Sequence, residues 1–447
     1  MATAFDAIVI GTGQSGPSLA VRLANSGRKV AIIERQFFGG TCVNTGCIPT
    51  KTLVASARTA WVARRAADYG VIIPGGITMD MTKVKARKDY VSGLSRTGVE
   101  SWLRTTSGCT VIQGHARFVS DHEVEVDAQR LSASQIFINV GGRAAIPPLP
   151  GLDRVPYRTN STILDLETLP EHLVVLGGSY IALEFAQMYR RFGSRVTVVE
   201  RGPRLMSRED EDVSQAILEI FRAEEIEVSL NATLGSADDL PRGSHLLIAT
   251  GRRPNTDDLG LEQTTIARDD RGFIRVDDEL RTSAPGVWAI GDCNGRGAFT
   301  HTSYNDYEIV AANLLDGDRR RVSDRITAYA VYIDPPLGRA GMTDAEIARS
   351  GRKVLRAKRP MTKVSRAFEK GETQGFMKIT VDAETRQILG AAILGVEGDE
   401  VIHCILDVMY TRAPYTVLQR AMHIHPTVSE LIPTLLGELK EVAPPPT

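Results

Sequence analysis

Cysteine is scarce, with five in 447 residues. That number is odd and too small for a secreted scaffold stapled by disulfides, so that class is excluded. Long apolar runs are also missing. No uninterrupted stretch reaches the ~18 residues that a membrane helix requires. Neither sign of charge dominates, because 53 Lys and Arg face 54 Asp and Glu and leave a formal net charge of -1. A basic surface for nucleic acid or for an anionic membrane is therefore not expected. The opening MATAFDAIVIG enters a strand pattern at once and lacks the basic, apolar and cleavage-site order of a signal peptide. The expected location is cytoplasmic, where a lone disulfide is more often catalytic than structural.

What is present is glycine and apolar residue, 40 and 43% respectively, enough for several packed cores with close backbone approaches. The length corresponds to roughly three domains at ~150 residues each. Ala7 to Ile10 reads as a short strand. Gly11-Thr-Gly13-Gln-Ser-Gly16 follows, then an amphipathic stretch to about Ser26 and a second strand from Lys29 to Ile33, closing on Glu34. Strand, G-x-G-x-x-G turn, helix and strand, with a terminal acid, form the dinucleotide-binding pattern. The glycines let main chain approach a pyrophosphate at the helix N-terminus, and the acid accepts from a ribose hydroxyl.

The pattern occurs twice. His172 to Leu176 is a strand, Gly177-Gly178-Ser179-Tyr180-Ile181-Ala182 the turn, and Arg195 to Val199 the next strand, ending at Glu200. Each acid lies twenty-three positions after its first glycine. Two copies call for two dinucleotides. Ser179 replaces the second glycine, and a serine is small enough to preserve close approach. Each copy ends in a similar strand and loop, IFINVGGRAAIPP around Gly141 and LLIATGRRPN around Gly251.

The chemistry centres on Gly40 to Lys51, GTCVNTGCIPTK, which holds Cys42 and Cys47 five positions apart. That spacing suits a distorted first helical turn, where the helix N-terminus favours a reactive thiolate. Two ordinary buried thiols would be the plainer account of the pair alone. Read with the two glycine turns, the segment resembles the pyridine nucleotide–disulfide oxidoreductases, the flavoproteins that include glutathione reductase, dihydrolipoamide dehydrogenase and mercuric reductase. The resemblance runs from about Phe5 to Glu441 and covers four motifs in order.

The resemblance implies an α/β chain with two Rossmann-like nucleotide-binding domains and a C-terminal α+β dimerisation domain. The implied boundaries are 1–150 for the FAD domain, 151–271 for the NAD(P) domain, 272–322 for the return to the FAD domain, and 323–447 for dimerisation. Gly286-Val-Trp-Ala-Ile-Gly291-Asp292 resembles the second FAD motif, in which the aspartate holds a ribityl hydroxyl. Gly11, Gly13, Gly16, Glu34, Gly40, Thr41, Lys51, Gly141, Gly291 and Asp292 are then the FAD-binding residues. Gly177, Gly178, Glu200 and Gly251 would bind the nicotinamide nucleotide. A carboxylate at Glu200 suits a free 2′-hydroxyl, so NADH is favoured over NADPH, although Arg201 and Arg204 follow at once.

His425-Pro-Thr-Val-Ser-Glu430 resembles the H-P-T-x-S-E motif that supplies the family's acid–base histidine across the two-fold axis of a homodimer. A histidine oriented by a carboxylate can serve a thiol leaving group. Lys51 and Glu184 resemble the pair beside the flavin, and Tyr180 the aromatic gate over it. By the same resemblance Cys47 is the flavin-proximal sulfur and Cys42 the outer one that attacks substrate. CIPTKTL, GGSYIALEFAQ and IDPPLGRAGMT are most similar to the mercuric-reductase-like branch that also holds the hypothiocyanous acid reductases. No cysteine follows Cys404, so the C-terminal metal relay of mercuric reductases is missing. The expectation is an NAD(P)H-dependent reductase of a small-molecule disulfide or oxidant. The alternatives are a dihydrolipoamide dehydrogenase, a metal-ion reductase using the same cysteines, and a redox-sensing flavoprotein.

Overall fold

Two strand–turn–helix–strand units generate the first two sheets of the computed structural model, which describes residues 2–442. In the first unit Thr3–Ile10 lies parallel to Val30–Glu34 on one side and Gln129–Ile138 on the other, with the helix Gly16–Asn25 as the crossover. Ala7, Ile8 and Val9 are fully buried, the uninterrupted apolar run of a parallel strand covered on both faces. Cys109–Gln113 extends the parallel sheet beyond Val30–Glu34, while Glu123–Val126 and Ala116–Ser120 add an antiparallel edge. The late strand Val287–Ala289 joins Gln129–Ile138 in parallel, and Trp288 stacks on Phe137 at 5.0 Å.

The second unit repeats the plan. Arg195–Val199 and His245–Ile248 flank His172–Leu176, with Glu227–Ser229 and Tyr157–Arg158 at the edges, all parallel. Its crossover helix is Tyr180–Phe192. The matching glycines face matching constraints. A Cβ on Gly11, at φ +103°, would stand 2.3 Å from the Asn139 carbonyl oxygen, and one on Gly177, at φ +120°, 2.5 Å from that of Ala249. Only glycine fits both the dihedral and the space. Ser179 has φ −98° and ordinary extended backbone, so a side chain is tolerated there.

The third sheet is antiparallel, in the order Ala328–Val331, Leu337–Gly341, Ile388–Leu394, Phe376–Asp382, Val354–Pro360, Lys440–Glu441. The helix Gly398–Thr411 packs on it so closely that a Cβ on Gly338 would lie 2.1 Å from the Gly398 carbonyl oxygen. Alternation along Met377 to Val381 implies one polar face open to water, yet every residue of Phe376–Asp382 is buried. Lys378 is the reason. Its ammonium meets Asp210 at 2.7 Å, Asp212 at 2.7 Å and Asp344 at 3.0 Å, and Asp210 and Asp212 belong to the second unit.

Arg339 completes this buried junction, 2.6 Å from Asp210 and also facing Glu209 at 3.5 Å. Burial opposes the Asp210 charge, but Arg339 and Lys378 outweigh it and hold the carboxyl down at about 2. Replacing Arg339 with alanine would leave the Glu209 and Asp210 carboxylates buried without that partner, at a cost of about 3–5 kcal/mol. Thermal or urea unfolding of Arg339→Ala should show this loss. An unchanged midpoint would mean that the junction does not hold the units together.

Candidate active site

The two cysteines sit on two helices, not on one distorted turn. Gly40–Asn44 is a short helix carrying Cys42, the chain breaks at Thr45 and Gly46, and Cys47–Arg64 begins on the second cysteine. Gly40, at φ +62°, crosses the first glycine turn so closely that a Cβ would meet Gly13 Cα at 2.7 Å. The break places Cys47 at the first position of a helix, where unpaired N–H groups favour a negative charge. The helix Thr300–Ala311 also starts beside it, with Thr300 Oγ1 3.1 Å from Cys47 Sγ.

The electrostatics divide the pair. The Cys42 hydrogen bond holds the Cys47 thiol down at about 6, against the opposing effect of burial, with Thr300 and the Lys51 ammonium adding to the shift. Cys42 is pushed the other way, by its contact with Cys47 and then by burial. The proton of the pair therefore stays on Cys42. Lys51 lies one turn along the Cys47 helix and donates to Glu184 Oε2 at 2.6 Å, while the Tyr332 backbone N–H donates to Glu184 Oε1 at 3.0 Å. Glu184 is buried and fully partnered.

A cavity of about 500 Å³ runs over these groups. Gly11, Gly13 and Glu34 line one end, and Glu34 accepts from the N–H and hydroxyl of Thr12 at 3.0 and 2.6 Å. Gly40, packed against Gly13, lines the cavity as well, together with Thr41, Cys42, Cys47, Lys51 and Glu184, and with Tyr180, Gly141 and Asp292. Gly16 stands behind the turn, where a Cβ would be 2.2 Å from the Gly11 carbonyl oxygen, and Gly291 backs onto Ser303. Tyr180 packs on Phe299 with ring centroids 5.6 Å apart, and burial pushes its hydroxyl up to about 12. Burial also raises the Asp292 carboxyl, against Arg252 at 3.7 Å.

Other expected residues lie elsewhere. Gly177, Gly178, Gly251 and Glu200 are at the second turn. Glu200 accepts from the Gly202 N–H at 2.6 Å, and its carboxylate occupies the space beside Gly178. His425 Nδ1 pairs with Glu430 Oε2 at 2.9 Å, but neither residue lines the cavity, and the imidazole is 75% exposed. His301 bonds the Ala328 carbonyl at 2.7 Å and also reaches the cavity wall.

The sequence reading missed four participants. Asn139 donates to the carbonyl oxygens of Gly11 and Gly13 at 3.2 and 3.1 Å and so clamps the turn. Arg252 faces Asp292, Thr300 faces Cys47, and Tyr332 holds Glu184. Asn139 and Arg252 could have been flagged by their positions in the two similar closing loops. Nothing in the sequence marks Thr300 or Tyr332.

The model of the pyridine nucleotide-disulphide oxidoreductases matches residues 5–306, and the dimerisation-domain model of the same group matches residues 327–436. The chain belongs to this family. The probable pyridine nucleotide-disulfide oxidoreductase RclA of Escherichia coli (strain K12) is 36% identical over 98% of this chain and 99% of its own length. A mercuric reductase of Streptomyces lividans is 32% identical over 96% of this chain and 95% of its own. The solved HOCl-induced flavoprotein disulfide reductase RclA from Escherichia coli superimposes with a TM-score of 0.89 at 35% identity, covering 97% of this chain and 99% of that one. The protein is accordingly an NAD(P)H-dependent flavoprotein disulfide oxidoreductase that uses FAD. The dimerisation domain makes it a homodimer. Among the described residues no helix is long and apolar enough to cross a membrane.

With Cys47 at about 6, its thiolate in the reduced enzyme should dominate above that pH and be lost by protonation below it. Alkylation of Cys47 followed against pH should rise with that midpoint. Cys42→Ala removes the hydrogen bond and should move the midpoint up toward the ordinary thiol value of about 8.5. An unmoved midpoint would assign the low value to the helix end and Lys51 alone.

Proposed function

We propose that the protein passes two electrons from a nicotinamide nucleotide to a Cys42–Cys47 disulfide and on to a small disulfide or thiol-reactive oxidant. The observation that carries this is the divided cysteine pair on the cavity floor, one thiol at about 6 and its neighbour raised. The similarity to RclA, an HOCl-induced flavoprotein disulfide reductase, extends the substrate class to products of hypohalous acids.

The cavity lining suits FAD, because Gly11, Gly13 and Gly40 border it with bare main chain, and the close packing of Gly11 on Asn139 and of Gly40 on Gly13 admits no side chain at either position. Gly11, Gly13 and Gly16 would receive its pyrophosphate at the start of Gly16–Asn25, and Glu34 its ribose. Asp292 would hold the ribityl chain, and Gly40, Thr41, Gly141, Gly291 and Lys51 would border the remainder. Bound FAD would supply a two-electron carrier between the nicotinamide and the disulfide. Glu200, with Gly177, Gly178 and Gly251, would bind the nucleotide. Arg204 is engaged with the Ser207 carbonyl at 3.1 Å, which supports NADH over NADPH. Tyr180, held against Phe299, would cover the flavin until the nicotinamide displaces it. The domain limits we assign are 1–150, 151–271, 272–322 and 323–447.

In the reductive half, the disulfide takes two electrons and one proton, leaving Cys47 as thiolate and Cys42 as thiol. In the oxidative half, the partner subunit's His425, oriented by its own carboxylate, takes the Cys42 proton. The Cys42 thiolate attacks the substrate sulfur, and that histidine protonates the departing thiolate. Cys47 then attacks the Cys42 sulfur of the mixed disulfide, expels the second product as a thiolate that takes a proton from solvent, and restores the disulfide. The exposure of His425 in a single chain supports its service to the neighbouring subunit.

Anaerobic titration with NADH and NADPH tests this reading. At two electrons per subunit the long-wavelength absorbance of a thiolate against oxidised flavin should appear, and Cys47→Ser should abolish it. Direct bleaching without that band would overturn the electron path through the cysteines. His425→Gln should lower steady-state turnover by about 10²–10⁴-fold while flavin reduction by NADH stays at the wild-type rate. A loss confined to flavin reduction would contradict the assigned role.

A further inference from the structure

The third sheet reaches into the active site at one point. Tyr332 follows the strand Ala328–Val331 directly, and it touches both members of the Lys51–Glu184 pair with different parts of itself. Its backbone N–H donates to Glu184 Oε1 at 3.0 Å, and its ring lies under the Lys51 ammonium, with Nζ 4.7 Å from the centroid. Lys51 is 31% exposed, so one side of its cation would otherwise face only solvent and the cavity.

The geometry points to Tyr332 as a positioning residue for the disulfide chemistry, its ring face keeping the Lys51 ammonium beside Cys47 so that the thiolate is favoured. This rests on the role proposed above for Cys47. An aromatic face attracts a cation through its quadrupole, most usefully where water is partly excluded. The charged groups that bear on the arrangement are few. Cys47 is faced by Cys42, Lys51 and Glu184, with the Thr300 hydroxyl. Tyr332 is itself faced by Asp399, Glu184, Glu400 and Cys47. Lys51 is the cation among the groups acting on Cys47, after the Cys42 and Thr300 hydrogen bonds, so the placement of its ammonium contributes to the thiolate.

The contact pattern also isolates the effect. The Glu184 bond comes from the backbone, so a change of the Tyr332 side chain leaves it in place. Tyr332 is 37% exposed, and its loss does not empty a core. The experiment is the pH profile of Cys47 in the holoenzyme reduced with two electrons, read both by alkylation and by the long-wavelength band, for wild type, Tyr332→Leu and Tyr332→Phe. Tyr332→Leu should raise the Cys47 midpoint by about 0.5 pH units, and Tyr332→Phe, which keeps the ring face, should match wild type. A Tyr332→Leu midpoint equal to wild type overturns the proposal, and so does a Tyr332→Phe midpoint shifted as far as that of Tyr332→Leu. If the band is absent in wild type while the alkylation midpoint still moves in Tyr332→Leu, the electron path proposed for Cys47 fails and the positioning role stands.

Discussion

One ion pair joins the three parts of this chain. Lys51 stands on the helix that begins with Cys47, Glu184 on the crossover helix of the second nucleotide unit, and Tyr332 at the end of a strand in the third sheet. A buried carboxylate carries a large desolvation cost, and it persists here because both oxygens are partnered. Each partner comes from a different unit. Glu184 has both oxygens partnered only when all three are docked, so the completed site depends on the assembled fold. The Arg339–Asp210–Lys378 junction reinforces the same docking between the second unit and the third sheet.

The cysteine pair shows how little machinery is needed to give two identical thiols different properties. Cys47 lies at a helix start, near a second helix start and a lysine, and Cys42 lies one loop earlier in a more costly environment for charge. The break at Gly46 produces this difference. A Cβ there would press on the Thr41 carbonyl oxygen at 2.9 Å, so the tight passage between the helices needs a glycine.

The parts legible in the sequence are those in which cause and effect are close along the chain. The Gly11 and Gly177 turns were readable because a tight turn dictates its residues locally, and so was the His425–Glu430 pair, five positions apart. The break at Gly46 was not, because periodicity does not distinguish one bent helix from two. Thr300 lies 253 positions from Cys47, and Tyr332 lies farther still from Lys51. Such meetings are made by docking, which composition and spacing do not record. Lys378 departs from its local pattern for a related reason. A lysine in an alternating strand normally reports water, and here it reports three aspartates supplied by two other segments.

The strand Val287–Ala289 takes its place beside Gln129–Ile138 only after the entire second unit has been made. During synthesis the N-terminal sheet therefore emerges first and waits unfinished, with the Ile136–Ile138 end of its Gln129–Ile138 strand unpaired on one side. The second unit, whose central strands lie between residues 172 and 248, is continuous in the chain and can close at once. A nascent chain usually folds its earliest domain first. In this protein the first sheet can be completed only after the second unit, and the open end of that strand is the surface that a growing chain must keep from pairing wrongly until residue 289 arrives.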